Sequence, residues 1–145
     1  MFTEEMLAPC GLDCSLCSQA HKKKNACHGC MGADENKPAF CKNRCKVIQC
    51  DKRIRNHYRF CDECSDYPCK HLQEIENRYM SQYILKESPF SNLRKMREMG
   101  MDAFFDEERK VWACKRCGGV LCVHNGVCSQ CGKTFKIWNE IIEEQ

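Results

Sequence analysis

The middle of the chain carries apolar side chains at the spacing of an amphipathic helix. Leu72, Ile75, Tyr79 and Tyr83 recur at intervals of three or four residues among Gln, Glu and Arg. This spacing places apolar side chains on one face of a helix, so the pattern predicts a helix over residues 70–85.

A second helix is predicted directly after the first. Ser88 and Pro89 suit the N-cap and the first helical position, and Gly100 suits the C-terminal stop. Asp102 then predicts the cap of a third short helix. The apolar residues expected to pack between the two ends of the chain are Phe90, Leu93, Met96, Phe104 and Phe105.

Sixteen cysteines in 145 residues change this picture. Cysteine is counted among the 43% hydrophobic residues, and without it about a third of the chain remains to build an apolar core. The start, MFTEEMLAPC, has no basic or apolar leader, and no stretch is long enough for a membrane span. We therefore expect a cytoplasmic protein whose cysteines bind metal rather than form disulfides.

Eleven of the cysteines lie within residues 10–69, mostly in short pairs. CxxC turns, as in CSLC, CHGC and CDEC, are strong metal-ligand signals because both sulfurs can converge on one ion. CKNRC and CKVIQC are looser spacings and weaker signals. The predicted N-terminal ligands are Cys10, Cys14, Cys17, Cys27, Cys30, Cys41, Cys45, Cys50, Cys61, Cys64 and Cys69.

The motifs CGLDCSLC, CHGC, CKVIQC and CDECSDYPCKHL, in this order, resemble the family called domain of unknown function 3795. The resemblance covers about residues 7–75, and Cys41 matches it less closely than the other ten cysteines. It implies a Cys-rich, zinc-binding domain. It implies no activity, because the family has none assigned.

The sequence leaves open how these cysteines divide among metal sites. We expect one site from Cys14, Cys17, Cys27 and Cys30, another from Cys45, Cys50, Cys61 and Cys64, and a third from Cys10, Cys41 and Cys69. The third site needs one more ligand, for which His28, His57 and His71 are candidates, with His71 favoured because it follows the last ligand group. Two zinc sites with three spare thiols, or a cross-braced exchange of ligands, are the alternatives.

Iron is the alternative metal for the N-terminal region. Cys10, Cys14 and Cys17 have the CxxxCxxC spacing of radical-SAM enzymes, but the chain is too short for the barrel that such enzymes need. An iron–sulfur cluster without that chemistry remains an alternative to zinc.

The C-terminal segment has the pattern of a zinc ribbon. Cys114 and Cys117, then Cys128 and Cys131, form two CxxCG knuckles separated by ten residues. Val120, Val123 and Val127 are predicted to supply hairpin strands around an Asn125-Gly126 turn, while Cys122 lies outside both knuckles. The residues expected to pack the ribbon onto the helices are Phe135, Ile137, Trp138, Ile141 and Ile142.

Charge gives little support to a nucleic-acid partner. The formal charge is +3, but fifteen thiolates with four divalent ions would make the loaded protein about −4. Basic residues interleaved with Tyr58 and Phe60 can still grip a single strand. These cations are Lys22, Lys23, Lys24, Lys52, Arg53, Arg55 and Arg59.

Taken together, the pattern predicts a small, metal-dominated α+β protein. An irregular Cys-rich domain spans 1–71, a helical linker spans 72–110, and a zinc ribbon of β-hairpins spans 111–145. Three or four structural zinc ions are expected, and no arrangement typical of an enzyme stands out. The expected role is a binding or adaptor module for an unknown protein partner, with nucleic-acid binding and iron–sulfur redox chemistry as alternatives.

Overall fold

The computed structural model describes residues 2–83 and 85–135, which form short helices joined by turns. Five α-helices are described: α1 (Ala39–Asn43), α2 (Asp51–Arg55), α3 (Lys70–Ser81), α4 (Pro89–Met99) and α5 (Met101–Val111). Single 3₁₀ turns cover Glu4–Met6, Cys14–Leu16, Ser18–His21, Asp34–Asn36 and Cys61–Glu63. No helix in the described residues is long and apolar enough to cross a membrane.

Helix α3 confirms the first predicted helix but ends four residues early, at Ser81. Leu72 is fully buried, and the Tyr79 and Tyr83 rings still meet at 4.7 Å, although Tyr83 lies beyond the helix. After the helix the chain brings Leu85 into the core, where its N–H donates to the carbonyl of Val123 at 3.4 Å. That burial explains the early end of the helix.

Helix α4 has the predicted boundaries. Ser88 Oγ accepts the N–H of Ser91 at 3.0 Å as an N-cap, Pro89 opens the helix, and Gly100 follows it with φ +86°. The expectation that Asp102 caps the next helix is wrong. Gly100 also serves as the N-cap of α5, so Asp102 lies in the first turn, where its charge favours the helix dipole.

Pairing between extended segments is limited to isolated antiparallel bridges in the described part of the chain. These bridges join Leu7 to Asp13, Ala113 to Val120, Leu121 to Cys128, and Val127 to Thr134. The predicted β-hairpin ribbon is therefore present only as single bridges. Tight turns follow one another too closely for longer strands to form.

The predicted turn at Asn125-Gly126 is present, whereas the role of Val123 differs from the prediction. The Gly126 N–H donates to the Cys122 carbonyl at 2.8 Å, and Gly126 has φ +71°. Val123 does not pair within a hairpin. Its N–H donates to the carbonyl of Leu16 at 2.9 Å, which docks the C-terminal segment on the N-terminal one.

The main apolar core draws on all three predicted segments. It comprises Phe2, Leu7, Leu16, Leu85, Phe104, Phe105, Trp112, Cys114, Leu121, Val123, Cys128 and Phe135. A smaller core contains Ala8, Cys10, Val47, Leu72 and Leu93. The predicted packing of Phe135 is confirmed, while Ile137, Trp138, Ile141 and Ile142 lie outside the described residues. The predicted domain boundaries stay predictions.

Gly11, in the CGLDC motif, allows the N-terminal segment to lie against α4. A Cβ at this position would sit 2.6 Å from the Pro89 carbonyl oxygen and 2.8 Å from Leu93 Cγ, and the residue has φ +100°. A side chain there would collide with the helix and strain the backbone. The glycine therefore allows close approach as well as the turn.

Replacing Ser88 with Ala should destabilise the protein by about 1 kcal/mol, because the cap of α4 is lost. Ser88 Oγ also donates to the Glu76 carboxylate of α3 at 2.8 and 2.9 Å, so the change removes a link between two helices. Denaturant unfolding measures the effect. Ser91→Ala is the matched control, since it keeps the N–H that the cap accepts. Equal stability of the two variants would contradict the assigned role of Ser88.

Candidate metal centres

Four cysteines of the C-terminal segment converge on one point. The Sγ atoms of Cys114, Cys117, Cys128 and Cys131 all lie within 4.8 Å of one another. Cys114 and Cys131 are 3.7 Å apart, and Cys117 and Cys128 are 3.5 Å apart. A tetrahedral ion with metal–sulfur bonds of about 2.3 Å separates its sulfurs by roughly 3.8 Å. The geometry therefore suits a single thiolate-bound metal ion.

Two similar turns present these sulfurs. The Cys114 N–H donates to the Gly119 carbonyl at 2.7 Å, and the Cys128 N–H donates to the Lys133 carbonyl at 2.8 Å. Each turn passes through a glycine with positive φ, +80° at Gly118 and +77° at Gly132. No atom lies within 4 Å of a Cβ built at either glycine, so backbone conformation rather than space requires them.

Backbone amides point at the sulfurs inside these turns. The Gly119 N–H donates to Cys117 Sγ at 3.3 Å, and the Gln130 N–H donates to Cys128 Sγ at 3.4 Å. Burial raises the pKa of Cys128, but the amides of Cys131 and Gln130 and the neighbouring thiols outweigh it and lower the pKa to about 7. The second turn thus favours the thiolate of Cys128, the form that binds metal. The pKa of Cys117 is instead raised to about 11, because the amide of Gly119 is outweighed by the contact with Cys128, by burial and by the other thiols.

Cys122 does not join this group. Its side chain is buried, and burial raises the pKa of its thiol. It lies instead among the core residues next to Leu121 and Val123, which are also buried. Cys122 is therefore a packed, neutral thiol, in agreement with its position outside both knuckles.

Seven N-terminal cysteines line one cavity of about 470 Å³. They are Cys10, Cys14, Cys17, Cys27, Cys30, Cys41 and Cys45. Within the part of the chain that the structure describes, no three of them converge as closely as the C-terminal four. Their shared cavity nevertheless separates them from the remaining N-terminal cysteines.

Cys30 is the centre of the contacts inside this cavity. Its Sγ lies 3.6 Å from Cys14 Sγ, and its thiol also hydrogen-bonds with that of Cys41. The Cys30 hydrogen bond lowers the pKa of Cys14 and lowers that of Cys41 to about 6. The same two contacts raise the pKa of Cys30.

The other four N-terminal cysteines influence one another electrostatically. Burial raises the pKa of Cys61 to about 12, and negative charge on Cys69, Cys50 and Cys64 adds to the effect. None of these four lines the cavity. The expected pairing of Cys45 with Cys50, Cys61 and Cys64 is not seen as a contact, and it stays a prediction.

None of the three histidines predicted as possible extra ligands belongs to the convergent C-terminal cysteine group. His28 and His57 are exposed. His71 is half-buried, and its Nδ1 atom has no hydrogen-bond partner among the described residues. A ligand role for His71 stays a prediction.

A group of buried carboxyls next to the cavity was not predicted from the sequence. Asp13, Glu87 and Glu108 are each at most 4% exposed. The Asp13 N–H donates to Glu87 at 2.8 Å, and Asn92 donates to the same Glu87 oxygen at 3.1 Å. The spacing of these acids in the sequence does not predict the group, because the segment before α4, helix α5 and the first cysteine motif come together only in the folded chain.

Glu108 carries a proton in this group. Burial raises its pKa to about 9, and the charge of Asp13 and a hydrogen bond with that carboxyl add to the shift. Trp112 Nε1 donates to the other side of Glu108 at 3.3 Å. A protonated Glu108 can thus donate to the Asp13 carboxylate, so that two buried acids avoid repelling each other.

Part of the chain matches a known family model. Residues 6–74 match the family model described as a protein of unknown function, DUF3795. This confirms the resemblance seen in the cysteine motifs. The DUF3795 segment contains all eleven N-terminal cysteines and ends inside α3. No curated protein and no solved structure matches the chain.

Glu108→Gln should remove part of the pH dependence of stability. The unfolded chain loses this proton near the usual pKa of 4.5, whereas the folded protein keeps it to about 9. The contribution of protonated Glu108 to the free energy of unfolding is therefore fully present below pH 4.5 and is lost as the pH rises to 9. Glutamine keeps a donor and does not titrate. Between pH 5 and pH 9 the free energy of unfolding should therefore fall by at least about 1 kcal/mol more in the wild type than in the variant.

Denaturant unfolding at pH 5, 7 and 9 measures this difference. Glu98→Gln, on the exposed part of α4, controls for the loss of a carboxyl. If wild type and Glu108→Gln lose stability in parallel as the pH rises, the buried proton on Glu108 is refuted.

Proposed function

We propose that Cys114, Cys117, Cys128 and Cys131 hold one structural zinc ion, and that the protein is a metal-stabilised binding or adaptor module. The convergence of the four sulfurs within 4.8 Å carries this proposal. Two matched turns with amides directed at sulfur support it, because the same contacts would stabilise the thiolates around an ion.

A structural role is favoured over a catalytic one. Four protein thiolates fill the tetrahedral coordination of zinc and leave no position for water or substrate, whereas catalytic zinc sites keep one position open. Such a site can contribute on the order of 10 kcal/mol to folding. The ion would lie beside the main core, since Cys114 and Cys128 are themselves members of it.

Iron is the chemical alternative for the same four sulfurs, since both metals accept tetrahedral thiolate ligands. A colourless protein that contains zinc supports the structural proposal. Iron with visible absorption that bleaches on reduction would instead support electron transfer.

Nucleic-acid binding is less favoured, because the basic run 52–59 is engaged within the protein. Arg53 donates to the carbonyls of Val47 and Ile48, and Arg59 donates to those of Glu4 and Leu7. In the same run Lys52 pairs with Asp66 and Arg55 pairs with Asp51. Cations held in this way are poorly available to phosphates, although Lys22, Lys23 and Lys24 are exposed.

Cys114→Ala should lower the zinc content by one ion per chain and reduce stability strongly, because three thiolates hold zinc much less tightly than four. Elemental analysis and thermal unfolding of protein purified without oxygen measure both effects. Cys122→Ala is the matched control: it removes a buried thiol from the same segment and should keep the full zinc content.

An unchanged metal content in Cys114→Ala would contradict the proposed site. Loss of an ion from Cys122→Ala would also contradict it, since Cys122 would then be a ligand.

A further inference from the structure

We propose that the cavity in the DUF3795 segment holds a second thiolate-bound metal centre in which Cys14, Cys30 and Cys41 are ligands of one ion. The fourth ligand comes from Cys17 or Cys27, each of which is the CxxC partner of a member of this triad. The inference deepens the proposed function, because it rests on the same preference of thiolates for a divalent ion such as zinc.

The separation of Cys14 and Cys30 resembles that of the paired sulfurs in the C-terminal group. Cys14 and Cys30 are 3.6 Å apart, between the 3.5 and 3.7 Å separations of the C-terminal pairs. These values suit neighbouring ligands of a tetrahedral ion. The hydrogen bond between the Cys30 and Cys41 thiols brings the third sulfur next to Cys30. The three sulfurs do not all lie within 4.8 Å of one another, so an ion would have to draw them together.

The two candidates for the fourth ligand line the same cavity. The sulfur of Cys27 accepts the backbone N–H of Gly29, two residues on, and that of Cys17 accepts the N–H of Gln19. The same contact, from a residue two positions on, is made at Cys117 and Cys128 in the C-terminal group. The local backbone around both sulfurs thus resembles that around the C-terminal cysteines.

Two cations lie where a centre of this kind needs positive charge. Four thiolates and one divalent ion carry a net charge of −2, which is costly in a partly dry cavity unless it is offset. Lys37 has a side chain only 3% exposed, and its Nζ donates to the Cys30 carbonyl at 2.7 Å and to the Asp34 carboxylate at 2.7 Å. Arg78 lines the cavity itself.

Arg78 is suited to face an anionic centre. Its guanidinium lies over the Phe40 ring at 5.4 Å, and its buried Nε has no hydrogen-bond partner among the described residues. Its charge reaches Cys41, as does that of Lys37. A thiolate centre would offset this buried positive charge.

Three aromatic rings line the cavity on the side of the C-terminal segment. Tyr79, Tyr83 and His124 pack edge to face, with ring centroids 4.5–5.5 Å apart, and all three line the cavity. The Tyr79 hydroxyl and His124 Nε2 are 3.2 Å apart. These rings add apolar surface to the cavity wall, which would strengthen the attraction between the thiolates, an ion and Arg78.

The proposed grouping differs from the grouping expected from spacing alone. Spacing places Cys30 in the first site and Cys41 in the third, with Cys10 and Cys69. In the folded chain the thiols of Cys30 and Cys41 form a hydrogen bond, and Cys69 lies outside the cavity. The two groupings predict different metal counts for a double variant.

The decisive experiment is metal analysis of full-length Cys30→Ala, Cys41→Ala and the double variant, all purified without oxygen. If the two residues share one ion, each single variant loses one ion per chain and the double variant also loses one. Cys122→Ala is the matched control, because its buried thiol lies outside both proposed centres, and it should lose none. Loss of two ions from the double variant, or none from Cys41→Ala, would overturn the inference.

The result is separable from that for the C-terminal site. Combining Cys30→Ala with Cys114→Ala should remove two ions. Suppose that Cys30→Ala, Cys41→Ala and their double variant each lose one ion while Cys114→Ala loses none. The cavity centre then stands and the C-terminal proposal fails. If only Cys114→Ala loses an ion, the reverse holds.

A variant that keeps every thiol guards against loss of folding. Arg78→Gln should release one ion per chain at roughly tenfold lower chelator concentration than the wild type, the scale of one partly screened charge contact. Arg94→Gln, an exposed arginine on α4, is the control and should release its ions as the wild type does. Identical chelator curves for the two variants would contradict a metal centre facing Arg78.

Discussion

The crowding of thiols is the interaction on which the rest of the structure depends. Four sulfurs within 4.8 Å repel one another once they ionise, and a divalent ion converts that repulsion into attraction. The two CxxCG turns are built for this arrangement, since their glycines permit a backbone that aims amides at sulfur. The short bridges around them are consequences of these turns rather than an independent sheet.

The apolar core is arranged so that it supports the cysteine-rich ends. Val123 bonds to Leu16 in the first cysteine region and accepts from Leu85 after α3. Helix α4 approaches the first cysteine motif at Gly11 and donates to its carbonyl through Asn92 at 2.9 Å. A modest number of buried side chains can therefore position both cysteine regions, and a metal ion held by the cysteines would in turn stabilise a chain with few apolar residues.

Buried charge is concentrated around the cavity. Acids from three parts of the chain, Asp13, Glu87 and Glu108, lie together and share hydrogen bonds with Asn92 and Trp112. Asp13 is adjacent to Cys14, so the carboxyls and the thiols form neighbouring polar regions between apolar clusters. A low dielectric raises the cost of unpaired charge here, which is why protons and cations matter more than at the surface.

The sequence by itself determined the local features of this protein. The cap at Ser88, the end of α4 at Gly100, the turn at Gly126 and the grouping of the C-terminal cysteines all follow from residues close together in the chain. Local backbone sterics and short CxxC spacing fix such features without help from distant segments. Only the tertiary structure decided which N-terminal cysteines meet, how Val123 docks, and that Asp13 contacts Glu108. The segments between those residues are long and irregular, and their spacing sets no distance until burial and hydrogen bonding bring them together.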